Sequence, residues 1–200
     1  MKLDLILNKK WFNSCLFPTH NVELAKKAAD EFEKSVTAHC LNFADVYAGK
    51  ICASLDRQHP RDLYDIKYLF DNEGITVEVK DSFIYYLISH NRPINELLNP
   101  NFNDIKREYN EEFLNMTQDK VALKEPESYR ARLAKELGRI LTNDDKKFLI
   151  SFVSDEPDWS LVRDQKIKEH PSVRWKISNQ KKMTQQKINA YIKATSKVFE

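Results

Sequence analysis

Glycine is scarce in this sequence. Gly49, Gly74 and Gly138 are the three glycines among 200 residues, whereas an average content near 7% would give about fourteen. Phosphate-binding loops and dinucleotide-binding turns need clustered glycines, because the backbone must come close to the phosphates. Three isolated glycines exclude both kinds of loop. The same scarcity, in a chain rich in lysine and glutamate, favours helices.

Cysteine is also rare and lacks the spacing of a metal site. Cys15, Cys40 and Cys52 are odd in number and form no CxxC pair, so neither a disulfide framework nor a zinc site is indicated. His39 precedes Cys40, but adjacent residues are poor ligand pairs. No apolar run approaches the ~18 residues of a membrane span, and no signal peptide is present. We therefore expect a cytoplasmic protein without a membrane partner.

Charge is nearly balanced overall but unevenly distributed. The net charge is +2, yet residues 163–200 contain ten Lys or Arg and three Asp or Glu. The rest of the chain then carries 22 basic and 27 acidic side chains. The basic C-terminal segment could face a polyanion, or it could be a solvated surface.

Hydrophobic periodicity predicts helices over most of the chain. Residues 2–7 alternate as a strand does and need a partner strand, and residues 37–41 are a candidate second strand. Residues 22–36 carry apolar side chains at every fourth position, as in a helix. Thr142 and Asp145 form a capping box. Past Gly74, the three-and-four spacing predicts helices over residues 77–89, 102–116, 127–141, 144–154 and 181–198.

Two predicted helices meet within residues 56–65, DRQHPRDLYD. Asn42, with Asp45 three positions later, caps the first helix. His59-Pro60 ends that helix. Pro60 then suits the first turn of the second helix, where the charge of Asp62 also interacts favourably with the helix dipole.

Charged side chains crowd the turn between these helices. On a helical wheel, Arg61, Asp62 and Asp65 share an arc with Leu69 that is bordered by apolar residues, unlike a solvent face. One interpretation is a structural cluster of ion pairs, Arg61 with Asp65 and Arg57 with Asp62, and the residue types alone favour it. The other interpretation is a site for a phosphate or a metal-bound nucleotide, since partly buried carboxylates are costly to keep.

Two blocks of sequence resemble the AbiEii/AbiGii family of nucleotidyltransferase-like toxins, which come from type IV toxin–antitoxin and phage-defence systems. The stretch ADVYAGKICASLDRQHPRDLYDIKYLFDNEGI resembles the family's helix with a lysine followed by DRxxPRDxxD. The segments DEPDWSLV and HPSVRWKISNQKKM resemble the family's closing block. Together the blocks extend the resemblance over most of the chain. The residues that match the first pattern are Lys50, Asp56, Arg57, Pro60, Arg61, Asp62 and Asp65.

The resemblance implies a fold and a chemistry. Family members have a small nucleotidyltransferase palm followed by a helical domain, and they move a nucleotide onto an acceptor, with tRNA ends as substrates in related toxins. We therefore expect a mainly α chain with a small N-terminal β remnant of the palm. Residues 1–75 would be a partial nucleotidyltransferase-like region, and residues 76–200 a C-terminal helical domain.

Individual roles are also implied by the resemblance. Lys50 would contact the nucleotide phosphates, with Arg57 and Arg61 assisting. Asp65, together with Asp62, would act as a base or position the acceptor. Two further positions complete this set, namely Asp56 as a supporting residue and Asp4 as a metal-binding carboxylate on the strand of residues 2–7.

The sequence departs from the family pattern at its front. The family has a Gly-Ser pair and then an Asp-x-Asp pair whose carboxylates hold Mg²⁺ for the nucleoside triphosphate, and neither pair occurs here. The chain resembles the C-terminal two-thirds of a family member, and a shortened gene, a split gene and a trimmed polypeptide remain open as causes. We expect it to bind neither Mg²⁺ nor triphosphate productively and to be inactive alone. The alternatives are a non-catalytic RNA- or antitoxin-binding module and an inactive remnant.

The expected partners follow from the same resemblance. They are tRNA or another RNA, a cognate antitoxin, a palm fragment and a second copy of the chain. Lys181, Lys182 and Lys187 are the expected RNA contacts in the basic C-terminal segment. Trp159 and Trp175 could stack on bases, although aromatic side chains in a helical domain more often pack in the core.

Overall fold

The computed structural model describes residues 15–117 and 120–200. The strand predicted for residues 2–7, with Asp4, lies outside them. Within the described residues, helices predominate and one two-stranded sheet is present, which confirms a mainly α chain with a small N-terminal β element. No helix in these residues is both long enough and apolar enough to span a bilayer.

The sheet lies at the start of the described chain. Strands β1 (His20–Glu23) and β2 (Thr37–Cys40) pair antiparallel, with His20 opposite Cys40, so the predicted second strand is confirmed. Between them, α1 covers only Lys26–Phe32. The predicted helix over residues 22–36 is therefore wrong at both ends. The strand ladder takes up the backbone groups there, and α1 buries no residue, so its apolar stripe has no core to stabilise a longer helix.

Ten helices follow one another through the described residues. After α1 they are α2 (Phe43–Asp56), α3 (Pro60–Asp71), α4 (Val77–Ser89), α5 (Ile94–Leu98), α6 (Lys106–Glu108), α7 (Lys124–Ile140), α8 (Asn143–Val153), α9 (Pro171–Gln180) and α10 (Gln185–Val198). A π-helical turn over Tyr109–Phe113 continues α6, and two 3₁₀ turns, Trp159–Leu161 and Gln165–Glu169, precede α9.

Local signals locate some of these helices better than others. The helix predicted over residues 77–89 is confirmed, and so is the capping box of Thr142 and Asp145. The helix predicted over residues 102–116 begins only at Lys106. Residues 171–180 form a separate helix that begins with Pro171, and Thr184 caps a last helix that begins later than predicted.

The hydrophobic core is formed around α2 and α4. Ala48, Ile51 and Leu55 of α2 are buried in the same cluster as Phe83 and Leu87 of α4. Burying these apolar side chains is the main favourable term in holding the two helices together. This core joins residues on both sides of position 75, and the domain boundary proposed there remains a prediction.

Candidate functional site

The turn between α2 and α3 is built on a buried glutamine. Gln58 has a left-handed backbone, with φ of 55°, and is 2% exposed. Its amide donates to the Asn101 carbonyl at 2.7 Å and accepts from the Asn103 N–H at 3.0 Å and from Arg130 Nη1 at 2.9 Å. These bonds hold residues 101–103, which are not helical, against the turn. They explain why the helix predicted from residue 102 starts later.

Histidine 59 starts the second helix of the turn. The Nδ1 of His59 accepts from the Arg61 N–H at 3.1 Å, and Pro60 occupies the first helical position. Proline suits that position, because its missing N–H would have no partner inside the helix. Residues 58–60 thus reverse the chain over three residues, and α3 returns antiparallel to α2.

Lys50 and Asp65 meet across the two helices. The Lys50 Nζ donates to Asp65 Oδ2 at 2.5 Å, and the two side chains are 36% and 39% exposed. Lys50 lies two turns before Arg57 on α2, and in an antiparallel pair that position faces the second turn of α3. Lys50 is therefore in direct contact with one of the two carboxylates of the family pattern. Its proposed role toward nucleotide remains a prediction.

Asp62 lies one turn before Asp65 on the same side of α3. Its Oδ1 accepts from Arg57 Nη2 at 2.9 Å, as the ion-pair interpretation predicts. Its Oδ2 is buried and has no hydrogen-bond partner among the described residues. Leaving a buried carboxylate oxygen without a donor is costly, and because solvent does not reach this atom, the Asp62 side chain would have to turn before an added hydroxyl could bond to it.

Arg61 does not pair with Asp65, contrary to the ion-pair interpretation. Its guanidinium lies 3.7 Å from the Glu112 carboxylate, and His59 Nε2 lies 3.2 Å from the same carboxylate. The π-helical turn brings Glu112 against the start of α3, whereas Lys50 occupies Asp65. The Arg61 side chain is 57% exposed, so its guanidinium is reachable from solvent.

Asp56 ties the end of α2 to the loop after α4. Its carboxylate pairs with Arg92 Nη1 at 2.9 Å, and the same nitrogen donates to the Asp56 carbonyl at 3.0 Å. His90 Nε2 lies 3.8 Å from the carboxylate, and burial lowers the pKa of His90. Asp56 therefore contacts residues 90–92 rather than Lys50, which is consistent with a supporting position.

The described residues do not form a metal site. No three His, Cys, Asp or Glu side chains converge anywhere within residues 15–117 and 120–200. Asp4, the predicted metal ligand, lies outside these ranges. Mg²⁺ prefers near-octahedral oxygen ligands, and the pair of Asp62 and Asp65 is already bonded to Arg57 and Lys50.

The expected RNA contacts lie far along the chain from this turn. Lys181, Lys182 and Lys187 are all exposed on the segment that joins α9 to α10 and on the first turn of α10. Trp159 packs against Phe148, with ring centroids 5.5 Å apart, as a core position predicts. Trp175 does not follow that prediction, because it is 52% exposed.

A buried carboxylate outside the turn was not found from the sequence. Asp45, predicted as part of a helix cap, is 1% exposed and accepts from the N–H groups of Leu16 and Phe17 at 2.8 and 2.9 Å. Burial raises its pKa, against the lowering effect of these bonds. Its neighbours Ala44 and Ala48 are buried too, and this apolar pattern was the one signal that pointed inward.

One protein family matches the chain. The family model described as nucleotidyl transferase AbiEii toxin, type IV toxin–antitoxin system, matches residues 10–179. That range includes the α2–α3 turn and nearly all of α9. No curated protein and no solved structure matches.

Proposed function

The chain belongs to the AbiEii family of nucleotidyl transferase toxins, and on that premise we propose that it serves nucleotide transfer to an RNA acceptor, with a tRNA end as the preferred acceptor. We also propose that these 200 residues do not carry out the transfer alone. The observation that carries the proposal is the Lys50–Asp65 contact of 2.5 Å between the two helices of the family motif.

Lys50 and Asp65 can exchange partners during the reaction. Phosphate oxygens of a bound triphosphate can replace Asp65 as acceptors for the Lys50 ammonium. Asp65 is then free to take the proton of the acceptor hydroxyl. The hydroxyl oxygen forms a bond to the α-phosphorus, the bond from that phosphorus to the bridging oxygen breaks, and pyrophosphate leaves. Asp65 ends the step with the hydroxyl proton, and the bridging oxygen leaves with the pyrophosphate.

The remaining motif residues position the reactants. A turn of the Asp62 side chain would bring its Oδ2, which is buried and has no partner among the described residues, into position to accept a hydrogen bond from the acceptor hydroxyl. Arg57 and Arg61 are 65% and 57% exposed, so their guanidinium groups can turn toward the negative charge of the leaving pyrophosphate. Asp56 acts only indirectly, because it holds the end of α2 against Arg92.

Magnesium does not fit the described residues, because no three His, Cys, Asp or Glu side chains come together among them. In the complete family enzyme Mg²⁺ accompanies the triphosphate, held by the Asp-x-Asp pair that this sequence lacks. Two metal ions in such sites stabilise both the attacking and the leaving oxygens. This missing pair supports the proposal that the chain needs a palm fragment to become active.

The partners in this proposal follow from the family and the charge distribution. A type IV toxin–antitoxin family implies a cognate antitoxin. The exposed lysines of residues 181–187 support an RNA partner, and the cytoplasm, where tRNA is found, is the proposed location. A palm fragment and a second copy of the chain are the remaining proposed partners.

Labelled triphosphates test the reaction directly. The chain is incubated with total tRNA, Mg²⁺ and each of the four triphosphates, with and without a palm segment of a family member that carries Gly-Ser and Asp-x-Asp. We expect label in tRNA only when the palm segment is present. Asp65→Asn should then lower the rate by about 10²–10⁴-fold, as for loss of a general base.

Other outcomes would overturn specific parts of the proposal. Label transferred by the chain alone, and lost in Asp65→Ala, would show that the site is complete without a palm. Label found in protein instead of RNA would contradict the proposal that the acceptor is RNA. No label with any palm segment would favour the second candidate, a non-catalytic RNA- or antitoxin-binding module, which the exposed basic residues 181–187 support.

A further inference from the structure

A groove lies between α9, α10 and the segment of residues 91–96, which comprises the loop after α4 and the first turn of α5, away from the α2–α3 turn. Its volume is about 490 Å³, within the range of small-molecule and cofactor sites. We refer to it as the Trp175 groove. The residues that line it come from this segment, from α9 (Trp175 and Asn179) and from α10 (Lys187 and Tyr191).

The walls of the Trp175 groove are held in place by buried polar contacts. Lys176 is 8% exposed, and its Nζ donates to the His90 carbonyl at 2.6 Å, with the Asn91 and Arg92 carbonyls at 3.4 Å. On the opposite wall, the Ile94 N–H donates to the Tyr191 hydroxyl at 2.9 Å. These bonds join residues 90–94 to α9 and α10, so the groove is formed in the absence of a ligand.

The lining of the Trp175 groove combines an aromatic ring with amide groups. The Trp175 ring is 52% exposed. Asn91, Asn95 and Asn179 bring side-chain amides to the same groove. Gln180 lies at the base of the groove, where it is 4% exposed and its Nε2 donates to the Phe152 carbonyl at 3.1 Å. Aromatic rings that stack on unpaired bases and amides that bond base edges are the usual means of reading single-stranded RNA.

The charge around the Trp175 groove favours a polyanion. Residues 170–200 contain seven Lys or Arg and one Glu, and Lys187 lies in the lining itself. The acidic residue of the lining, Glu96, is paired with Arg92 at 3.5 Å. Lys181 and Lys182 follow α9 directly. A strand whose base enters the groove would therefore have its phosphates near several exposed ammonium groups.

We propose that the Trp175 groove binds an unpaired base of single-stranded RNA. The base stacks on Trp175, its edge meets the amides of Asn179 and Asn95, and the adjoining phosphates contact Lys187 and Lys182. The proposal rests on the proposed function for the RNA partner and adds to it a separate site for one base. Lys176 is a positioning residue there, because its ammonium is committed to the backbone carbonyls of residues 90–92.

Fluorescence anisotropy with labelled oligoribonucleotides of about eight nucleotides tests this site. At about 50 mM salt, we expect Trp175→Ala to weaken single-strand binding about tenfold, a typical loss for one stacked base. Trp175→Phe should retain most of the affinity. Binding of a duplex of the same sequence should change less than about twofold, because its bases are already stacked.

The controls separate stacking from folding and from catalysis. Phe32→Ala removes another exposed aromatic side chain, 65% exposed on α1, and should not change binding. Thermal unfolding checks that each variant folds. Because neither triphosphate nor Mg²⁺ is added, the result is independent of nucleotide transfer, which is measured separately on tRNA.

Three results would overturn the base site. The first is unchanged single-strand binding by Trp175→Ala. The second is an equal loss for single strands and duplex, which would show that Trp175 supports packing or general affinity rather than stacking. The third is loss of antitoxin binding in Trp175→Ala with RNA binding intact, which would make the groove a protein interface.

Discussion

The Lys50–Asp65 ion pair lies at the surface, where water screens it. Pairs with this exposure contribute about 0–1 kcal/mol to folding. We expect Lys50→Met and Asp65→Asn each to change the free energy of unfolding by less than about 1 kcal/mol, with a coupling energy of about 0.2–1 kcal/mol in a double-mutant cycle. Urea unfolding measures both quantities. A coupling energy well above this range would show that the main role of the pair is to stabilise the fold.

Gln58 is the residue of the turn with the largest expected effect on stability. Gln58→Ala leaves the Asn101 carbonyl, the Asn103 N–H and Arg130 without their partner, whereas the strain of the positive φ is the same for glutamine and alanine because both carry a Cβ. We expect a loss of about 2–4 kcal/mol.

Gln58→Gly is the matched control for Gln58→Ala. It removes the same hydrogen bonds without the strain at positive φ, so it should be about 1 kcal/mol more stable than the alanine variant. Urea unfolding of both variants gives the comparison. Equal stability of the two variants would show that the positive φ at this position carries no strain that glycine relieves.

At the scale of elements, Asp45 connects the first described residues to α2. An asparagine at position 45 can accept a hydrogen bond from the N–H of Leu16 or Phe17 through its Oδ1. Its NH₂ group would then face the other backbone N–H, and two donors cannot bond to each other. We expect Asp45→Asn to lose about 1–3 kcal/mol. Hydrogen exchange should speed up at the Leu16 and Phe17 amides, and unchanged exchange there would contradict the anchoring role.

The pH dependence of this anchor has a definite sign. Burial raises the pKa of Asp45 in the folded chain above its ordinary value of 3.8. Its contribution to stability is therefore complete below that ordinary value and is lost as the pH rises through the folded-state pKa. The difference in unfolding free energy between wild type and Asp45→Asn should widen as the pH falls toward about 4. Urea unfolding at several pH values shows whether it widens or narrows.

At the scale of the whole molecule, the C-terminal lysines govern association with RNA. We expect tRNA binding whose affinity falls steeply with salt, and Lys181→Glu with Lys182→Glu should lower the salt slope by about one to two. Lys26→Glu with Lys27→Glu is the matched control, since it reverses an exposed lysine pair on α1. If both double variants change the salt slope equally, or if binding does not depend on salt, the basic C-terminal segment is a solvated surface and not an RNA contact.

Exposed apolar side chains around the sheet predict association with another chain. Val22 and Val36 are 41% and 49% exposed, and a two-stranded sheet leaves strand edges open to pairing. We expect a second copy to bind there at micromolar concentration, measured by light scattering after gel filtration. Val22→Lys with Val36→Lys should shift the chain to monomer, and a monomeric wild type would contradict the prediction.

Local chemistry determined the features that the sequence could predict. The caps at Asn42 and Thr142 and the proline start of α3 depend on residues within one helical turn, so spacing was sufficient to find them. The contact of Lys50 with Asp65 also depends on a single short turn, because α3 folds back along α2 directly after it.

Tertiary structure decided the features that depend on residues distant in sequence. Arg61 pairs with Glu112 rather than Asp65, and Gln58 bonds to residues 101, 103 and 130, because the chain returns to the turn only after folding. The exposure of Trp175 likewise depends on how α10 and the loop after α4 surround α9. A sequence specifies which groups can bond, but the packing of distant segments selects the partner that each group finds.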